Sequence, residues 1–366
     1  MTILSILLAV LLLAILIVVH ELGHFTAARL VGIEVTEFGV GFGPKLFSWR
    51  GKKHDTAYVL RAVPLGGYNA FFGDPAPGEE DPGKTLPRDD PRLFQNQKLW
   101  RRMVVIVSGP LANFLLAFVL ATGYYWACGI PTATGVDPYI SQVNAAGPAW
   151  EAGLMAGDVI EEIDGVSMLD GTTETLLQTL AAYEEGQPPL QVKVRRGEEH
   201  LTLSLTPRWD EAEERMLIGV IVGGRYRIET QSATLWQAAS ASGEMCWRAA
   251  GLILNALKNL VTTGEGLDQT SGPVGIISIV SSEVRSGGFQ AFLELLISIS
   301  INLGLMNLLP IPGLDGSKLL FGLIELLRGK PVSPQKEAIV NTIGLVLLLL
   351  LMLLLTFQDI SRLFGR

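Results

Sequence analysis

His20, Glu21 and His24 stand together as "HELGH" at the end of an almost unbroken apolar run. On a helix, positions i and i+4 share one face, so the two imidazoles lie one turn apart, at the spacing one zinc ion needs. The glutamate beside the first histidine is then placed to act as general base on water activated there. Ionisable groups at membrane depth cost about 2.5–3.5 kcal/mol each to insert, so such a trio is rarely idle. The other two histidines, His54 and His200, lie in polar contexts and read as ordinary surface residues.

A catalytic zinc usually takes three protein ligands and keeps one position open. The chain has 2 Cys, Cys128 and Cys246, far apart and in no CxxC pattern. A zinc–thiolate site is therefore excluded, and two unpaired thiols are expected ahead of the alternative, a single Cys128–Cys246 bridge. With no third histidine in place, the third ligand is expected to be a carboxylate, and Asp315 in "NLLPIPGLDG" is the candidate. Pro310, Pro312 and Gly313 break an apolar helix there, and such breaks persist at membrane depth where they line a cavity. A carboxylate paired with a cation at that point escapes the cost of burying a lone charge. One zinc per chain is the expected cofactor. Asn307, about two turns earlier, either donates a hydrogen bond to an oxyanion or substrate backbone or merely bonds a neighbouring helix.

The elements that must position these residues follow from composition and pattern. The 366 residues are 49% hydrophobic and 17% charged, with a formal net charge of −8. A soluble domain carries about 25% charged residues, so the chain is shifted toward the membrane class. The acidic balance, with no basic stripe interleaved with aromatics, excludes nucleic acid as a partner. Four stretches are long and apolar enough to span a bilayer: 1–28, 103–128, 289–325 (interrupted at "PIPGLDG") and 338–360. The first lacks both a basic start and a small-residue cleavage site, so it reads as a permanent helix and not a signal peptide. Lys45, Arg50, Lys52, Lys53, Arg61, Lys98, Arg101 and Arg102 make the 29–102 loop basic, and "RGKPVSPQKEA" is basic too. By the positive-inside rule both loops are cytoplasmic, residues 130–288 and both termini lie outside, and "HELGH" lies toward the cytoplasmic face.

Within 29–102, "EFGVGFGPKLFSW" and "TAYVLRAVPLGGYNAFFG" predict a pair of Gly-rich apolar strands beside the site, and 74–92 predicts a flexible Pro-rich loop. Residues 132–208 alternate short strands with turns around one helix, "TTETLLQTLAAY". Their stretch "AAGPAWEAGLMAGDVIEEIDGVSM" resembles the PDZ module in its circularly permuted bacterial form, which implies an extended peptide or protein ligand added at a sheet edge. Within the 209–288 region, residues 233–262 are expected to form an amphipathic helix, either at the membrane surface or packed on the protein's own core; its apolar positions include Leu235, Trp236, Trp247 and Leu257.

Taken together, "HELGH" (20–24), "GFGP" (41–44), "PLGGY" (64–68), "SGPLAN" (108–113), the PDZ-like stretch and "NLLPIPGLDG" (307–316) spread over most of the chain. This combination resembles the site-2 protease family of intramembrane zinc metalloproteases, in its regulator-of-sigma-E protease branch. The resemblance implies a polytopic α-helical membrane protein with four transmembrane helices, a re-entrant β-hairpin and an inserted extracytoplasmic PDZ domain. It implies His20, His24 and Asp315 as zinc ligands, Glu21 as base and Asn307 as substrate-positioning. It also implies that the strands around 57–69, with Gly66, Gly67 and Tyr68, pair with an unwound transmembrane substrate, typically an anti-sigma factor or a signal-peptide remnant in a bacterial inner membrane. Some members carry two PDZ modules; residues 209–232 are too few for a second, so a single-PDZ form is expected. The alternative reading is a catalytically inactive PDZ-bearing membrane adaptor, against which the intact ligands and base speak.

Overall fold

The computed structural model describes residues 3–364 apart from 52–54, 75–86, 88, 170–172, 185, 212, 214 and 265–271. His54 and most of the expected 74–92 loop lie outside the described residues. In chain order the first elements are α1 (Ile3–Val31), β1 (Val35–Arg50), β2 (Ala57–Phe71) and α2 (Leu99–Cys128). Next come β3 (Ile130–Val143), α3 (Pro148–Glu151), β4 (Val159–Ile163), β5 (Val166–Ser167), α4 (Thr173–Ala181), β6 (Leu190–Arg196) and β7 (Glu199–Leu205). The remainder are β8 (Arg208–Asp210), β9 (Arg215–Leu217), β10 (Val220–Gln231), α5 (Leu235–Thr262), α6 (Pro273–Leu308), α7 (Asp315–Arg328) and α8 (Pro334–Phe364). These divide into two compact units, Cys128–Ala233 and the rest of the chain.

Among the described residues the larger unit has four helices long and apolar enough to cross a membrane, with spans Ile6–Val31, Leu99–Cys128, Val274–Leu308 and Gln335–Arg362. Leu12 and Leu16 of α1 pack on Val280, Phe292 and Leu296 of α6. On α2, Ala117 and Ala121 meet Ile297 and Ile301 of α6; small residues let helices approach closely where lipid gives no hydrophobic drive to associate. The third span departs from its expected start at 289. Helix runs back to Pro273, with one non-helical residue, Gly288 (φ 60°, ψ −140°), where the expected start falls. At the other end helix stops at Leu308, and residues 309–314 are non-helical, because Pro310 and Pro312 lack the amide a helix needs.

β1 and β2 pair throughout, as the sequence pattern predicts. The first half of β1 lies between two parts of β2: Phe38 pairs with Asn69 on one side and with Tyr58 on the other. The second half of β1 pairs with the start of β2, from Lys45 opposite Arg61 to Arg50 opposite Ala57. The segment from Gly67 to Phe71 is therefore an edge, with no second strand among the described residues.

The smaller unit is a six-stranded sheet in the order β10-β3-β4-β6-β7, with β5 on β4, around a core that includes Ile140, Leu154, Ile160, Ile163, Leu176, Val192, Val194 and Leu205. This corrects one expected boundary: the β unit does not end at 208. β10 lies along β3 from Val220 opposite Val143 to Gln231 opposite Ile130. Its residues are mostly exposed and polar, so the apolar alternation that marks β6 is weak there, and only the distant partner strand completes the pairing. α5 begins at Leu235, held by a capping box in which Thr234 and Gln237 bond each other's backbone amides. It packs Met245, Cys246, Ala249 and Ile253 inward and leaves Trp236 and Trp247 exposed. Both cysteines are free.

Candidate metal and catalytic site

α1 carries His20, Glu21 and His24 within its last turns, and the break after α6 delivers Asp315 as the first residue of α7. A carboxylate in a helix's first turn is favoured by the unpaired amides there. Asp315 Oδ2 lies 3.1 Å from His20 Nε2 and 3.1 Å from His24 Nε2, and the two Nε2 atoms are 3.2 Å apart. All three side chains are mostly buried. Among the described residues this is the cluster of metal-ligand type that forms. Ligands about 2.0–2.1 Å from a tetrahedral zinc sit roughly 3.3–3.4 Å from one another, so these three atoms stand close to the spacing the ion requires.

The surroundings agree with that use. His24 Nδ1 is 2.8 Å from the carbonyl of Val105, so the ring proton belongs on Nδ1 and the Nε2 lone pair faces the cluster. Pro110 inside α2 withholds one helical amide and crowds the carbonyls a turn earlier, in the stretch where Val105 turns its oxygen to His24. Gly109 brings α2 close: a Cβ there would lie 2.2 Å from His24 Nε2. His20 Nδ1 is 3.3 Å from the side-chain amide of Asn113, which is fully buried, and Ser300 of α6 donates to the Asn113 carbonyl at 2.8 Å. The Lys318 ammonium stands 4.0 Å from Asp315 Oδ1, the oxygen turned away from the histidines.

Glu21 is met from the β side. Asn69 donates from Nδ2 to Glu21 Oε2 at 2.7 Å and to its backbone carbonyl at 3.0 Å. Gly67 presses its backbone on the same side chain, where an added Cβ would be 2.6 Å from Glu21 Cγ. Gly66 takes a positive φ of 107° against the ring of Phe42. Tyr68 points elsewhere: its hydroxyl donates to Glu37 and accepts from Arg61 Nε at 3.0 Å. Asn307 lies in the last turn of α6, half-buried, and makes no side-chain hydrogen bond among the described residues. His200 is remote from this chemistry, on the β unit, with Nδ1 2.8 Å from Glu161. Sequence reasoning overlooked Asn69 and Asn113. The signal was present in both: a lone amide inside an apolar run, "GGYNAFF" and "SGPLANFLLAF", costs free energy unless it is hydrogen-bonded.

Membrane-length helices around a donor cluster that could hold a metal ion beside a glutamate match the make-up of membrane-embedded metal hydrolases. Residues 8–351 match the family described as peptidase family M50. The "Regulator of sigma-W protease RasP" of Bacillus subtilis is 32% identical over 420 residues, covering 95% of this chain and 96% of its own length. The "Zinc metalloprotease RasP" of Bacillus licheniformis is 31% identical over 422 residues, covering 95% and 97%. Among solved structures, the PDZ domain of an SdrC-like protein from Listeria monocytogenes aligns with 25% of this chain and 90% of its own at 22% identity, with a TM-score of 0.22. The chain belongs to peptidase family M50 and is an intramembrane zinc metalloprotease, integral to the membrane; the reading as an inactive adaptor is not favoured.

Proposed function

We propose that His20, His24 and Asp315 hold one zinc ion and that Glu21 is the general base for peptide-bond hydrolysis within or near the transmembrane segment of a membrane protein. The observation that carries this reading is the convergence of donor atoms from opposite ends of the chain, at 3.1–3.2 Å, beside a glutamate that is not itself part of the cluster. Zinc bound there supplies Lewis-acid polarisation of the scissile carbonyl and activation of water. Glu21 accepts the proton from the attacking water and returns it to the leaving nitrogen, so that the carbonyl carbon gains the oxygen and the C–N bond breaks. Asn307 has an amide free to donate to the carbonyl oxygen as it becomes negative.

A transmembrane helix hides its carbonyls, so the substrate has to unwind before cleavage. The edge from Gly67 to Asn69 has no second strand among the described residues, and an extended segment adds there as a further strand, beside Glu21. Gly67 lets the strand lie close against Glu21, Gly66 lets it lie close against Phe42, and Tyr68 stiffens it through Glu37 and Arg61. In this reading β1 and β2 form the re-entrant hairpin, and released anti-sigma factors or signal-peptide remnants are the substrates. The basic loops favour a bacterial cytoplasmic membrane with the site toward the cytoplasm and the β unit and termini outside.

The β unit is assigned as one PDZ module. Its support is a groove of about 540 Å³ between α4 and the start of β10, lined by Leu176, Leu177, Leu180, Ile218, Val220 and Val222. β10 is an edge strand there, able to take an extended apolar peptide.

The test is metal analysis of the purified full chain together with cleavage of a model transmembrane substrate, for wild type and Glu21→Gln. The variant is expected to keep its zinc and to lose cleavage by about 10²–10⁴-fold, the usual contribution of a general base. Equal turnover by both proteins would remove Glu21 from its role.

A further inference from the structure

We infer that Asn113 is a positioning residue for the metal centre: its side-chain oxygen accepts the Nδ1 proton of His20 and so turns the Nε2 lone pair of that ring toward the ion. The inference rests on the zinc reading above and adds a residue to it. A neutral imidazole carries one proton, and it ligates through the nitrogen that lacks it. His20 Nε2 points into the cluster with His24 and Asp315, so ligation requires the proton on Nδ1. Nδ1 therefore needs an acceptor in a buried place, and the Asn113 amide is the group that faces it, at 3.3 Å.

Two further observations support the role. The Asn113 side chain is fully buried, and its Oδ1 has no partner among the described residues, while Nδ2 is the atom that faces His20. The two ends of an amide are nearly equal in size, and among the described residues nothing besides His20 holds this one in either orientation. The tautomer of His20 therefore decides which end faces it, and only the oxygen is compatible with a ligating Nε2. The backbone at this point is also anchored, since Ser300 donates to the Asn113 carbonyl at 2.8 Å and is itself fully buried. His20 is thereby held by a side-chain amide of α2 much as His24 is held by the α2 carbonyl of Val105. Both ligand histidines of α1 take their orientation from one neighbouring helix.

The test is the zinc affinity of the full-length protein in detergent, read by competition with a chromophoric chelator. Asn113→Leu keeps the branching at Cγ and removes the acceptor; it is expected to weaken zinc binding about 10–100-fold. Asn113→Asp keeps an acceptor at the same place and is expected to bind zinc at least as tightly as wild type. Leu binding as tightly as wild type overturns the inference, and so does Asp weakening zinc as much as Leu, since the donor end or packing would then be what matters. Should Asn113→Leu fail to fold, Asn113→Asp alone decides: tight binding supports the role and weak binding refutes it. A wild-type protein that holds no zinc would instead bring down the metal reading itself, and this inference with it.

Discussion

Asn69 and Glu21 lie 48 positions apart, yet the Asn69 amide donates to both the carboxylate and the backbone carbonyl of Glu21, at 2.7 and 3.0 Å. The strand edge proposed to receive substrate is thus hydrogen-bonded to the proposed base, and Glu21 keeps its other oxygen for the reacting proton. A hydrogen bond to a charged group contributes about 1.5–3 kcal/mol. Asn69→Leu is therefore expected to slow cleavage roughly 10- to 100-fold while zinc content stays at the wild-type level. Single-turnover cleavage beside metal analysis checks this, and a parallel fall in zinc would point to general disruption instead.

Asp315 is the one proposed ligand contributed from outside α1. Its removal leaves two imidazoles, which hold zinc weakly on their own. Asp315→Ala is expected to come through chelator treatment without metal, under conditions in which wild type retains it, and to have no measurable cleavage. Undiminished zinc in the variant would take Asp315 out of the ligand set.

In the β unit, Asp158 is buried and accepts from Arg196 Nε and Nη2, each at 2.8 Å, and from the Met155 amide at 2.9 Å. Burial alone would raise its carboxyl, but the Arg196 and Met155 hydrogen bonds outweigh it and hold the group below its ordinary value of 3.8. A carboxyl depressed in the folded state contributes stability that is complete above the unfolded value and is lost as pH falls through the folded one. Asp158→Asn is expected to destabilise the unit at neutral pH by about 1–3 kcal/mol, with the difference from wild type shrinking once pH drops below the ordinary value. Hydrogen exchange of the β4 and β6 amides in the full chain reports it; a gap that widens toward acid would contradict the assigned cause.

Leu177 lines the groove between α4 and β10 and is 43% exposed, so it can be changed at little cost to the core. Leu177→Glu is expected to abolish selection of apolar-ended peptides from a displayed library while leaving amide protection of the β unit intact. Selection of the same peptides by both proteins would move the binding site elsewhere.

Much of the candidate site was legible because its parts are local. The i, i+4 spacing of His20 and His24 defines a helical face by itself, and "PIPG" before Asp315 announces a break in an apolar helix through missing amides alone. Tyr68 shows where such reading stops: it adjoins Gly67 and Asn69, yet strand alternation turns its hydroxyl to Glu37 and Arg61, away from Glu21. β10 is a second example, since a mostly exposed strand carries little local signal until β3 pairs with it.

From composition and spacing alone, the chain determines membrane-length helices, a paired-histidine face with an adjacent carboxylate, and a broken helix bearing a second carboxylate. Only the tertiary structure decided that residues 295 apart in sequence place donor atoms 3.1 Å from each other, and that two asparagines from different elements address His20 and Glu21. The reason is physical. Local periodicity specifies which face a side chain occupies, whereas the meeting of faces depends on how closely helices and strands pack, and at this site glycines at 67 and 109 set that approach.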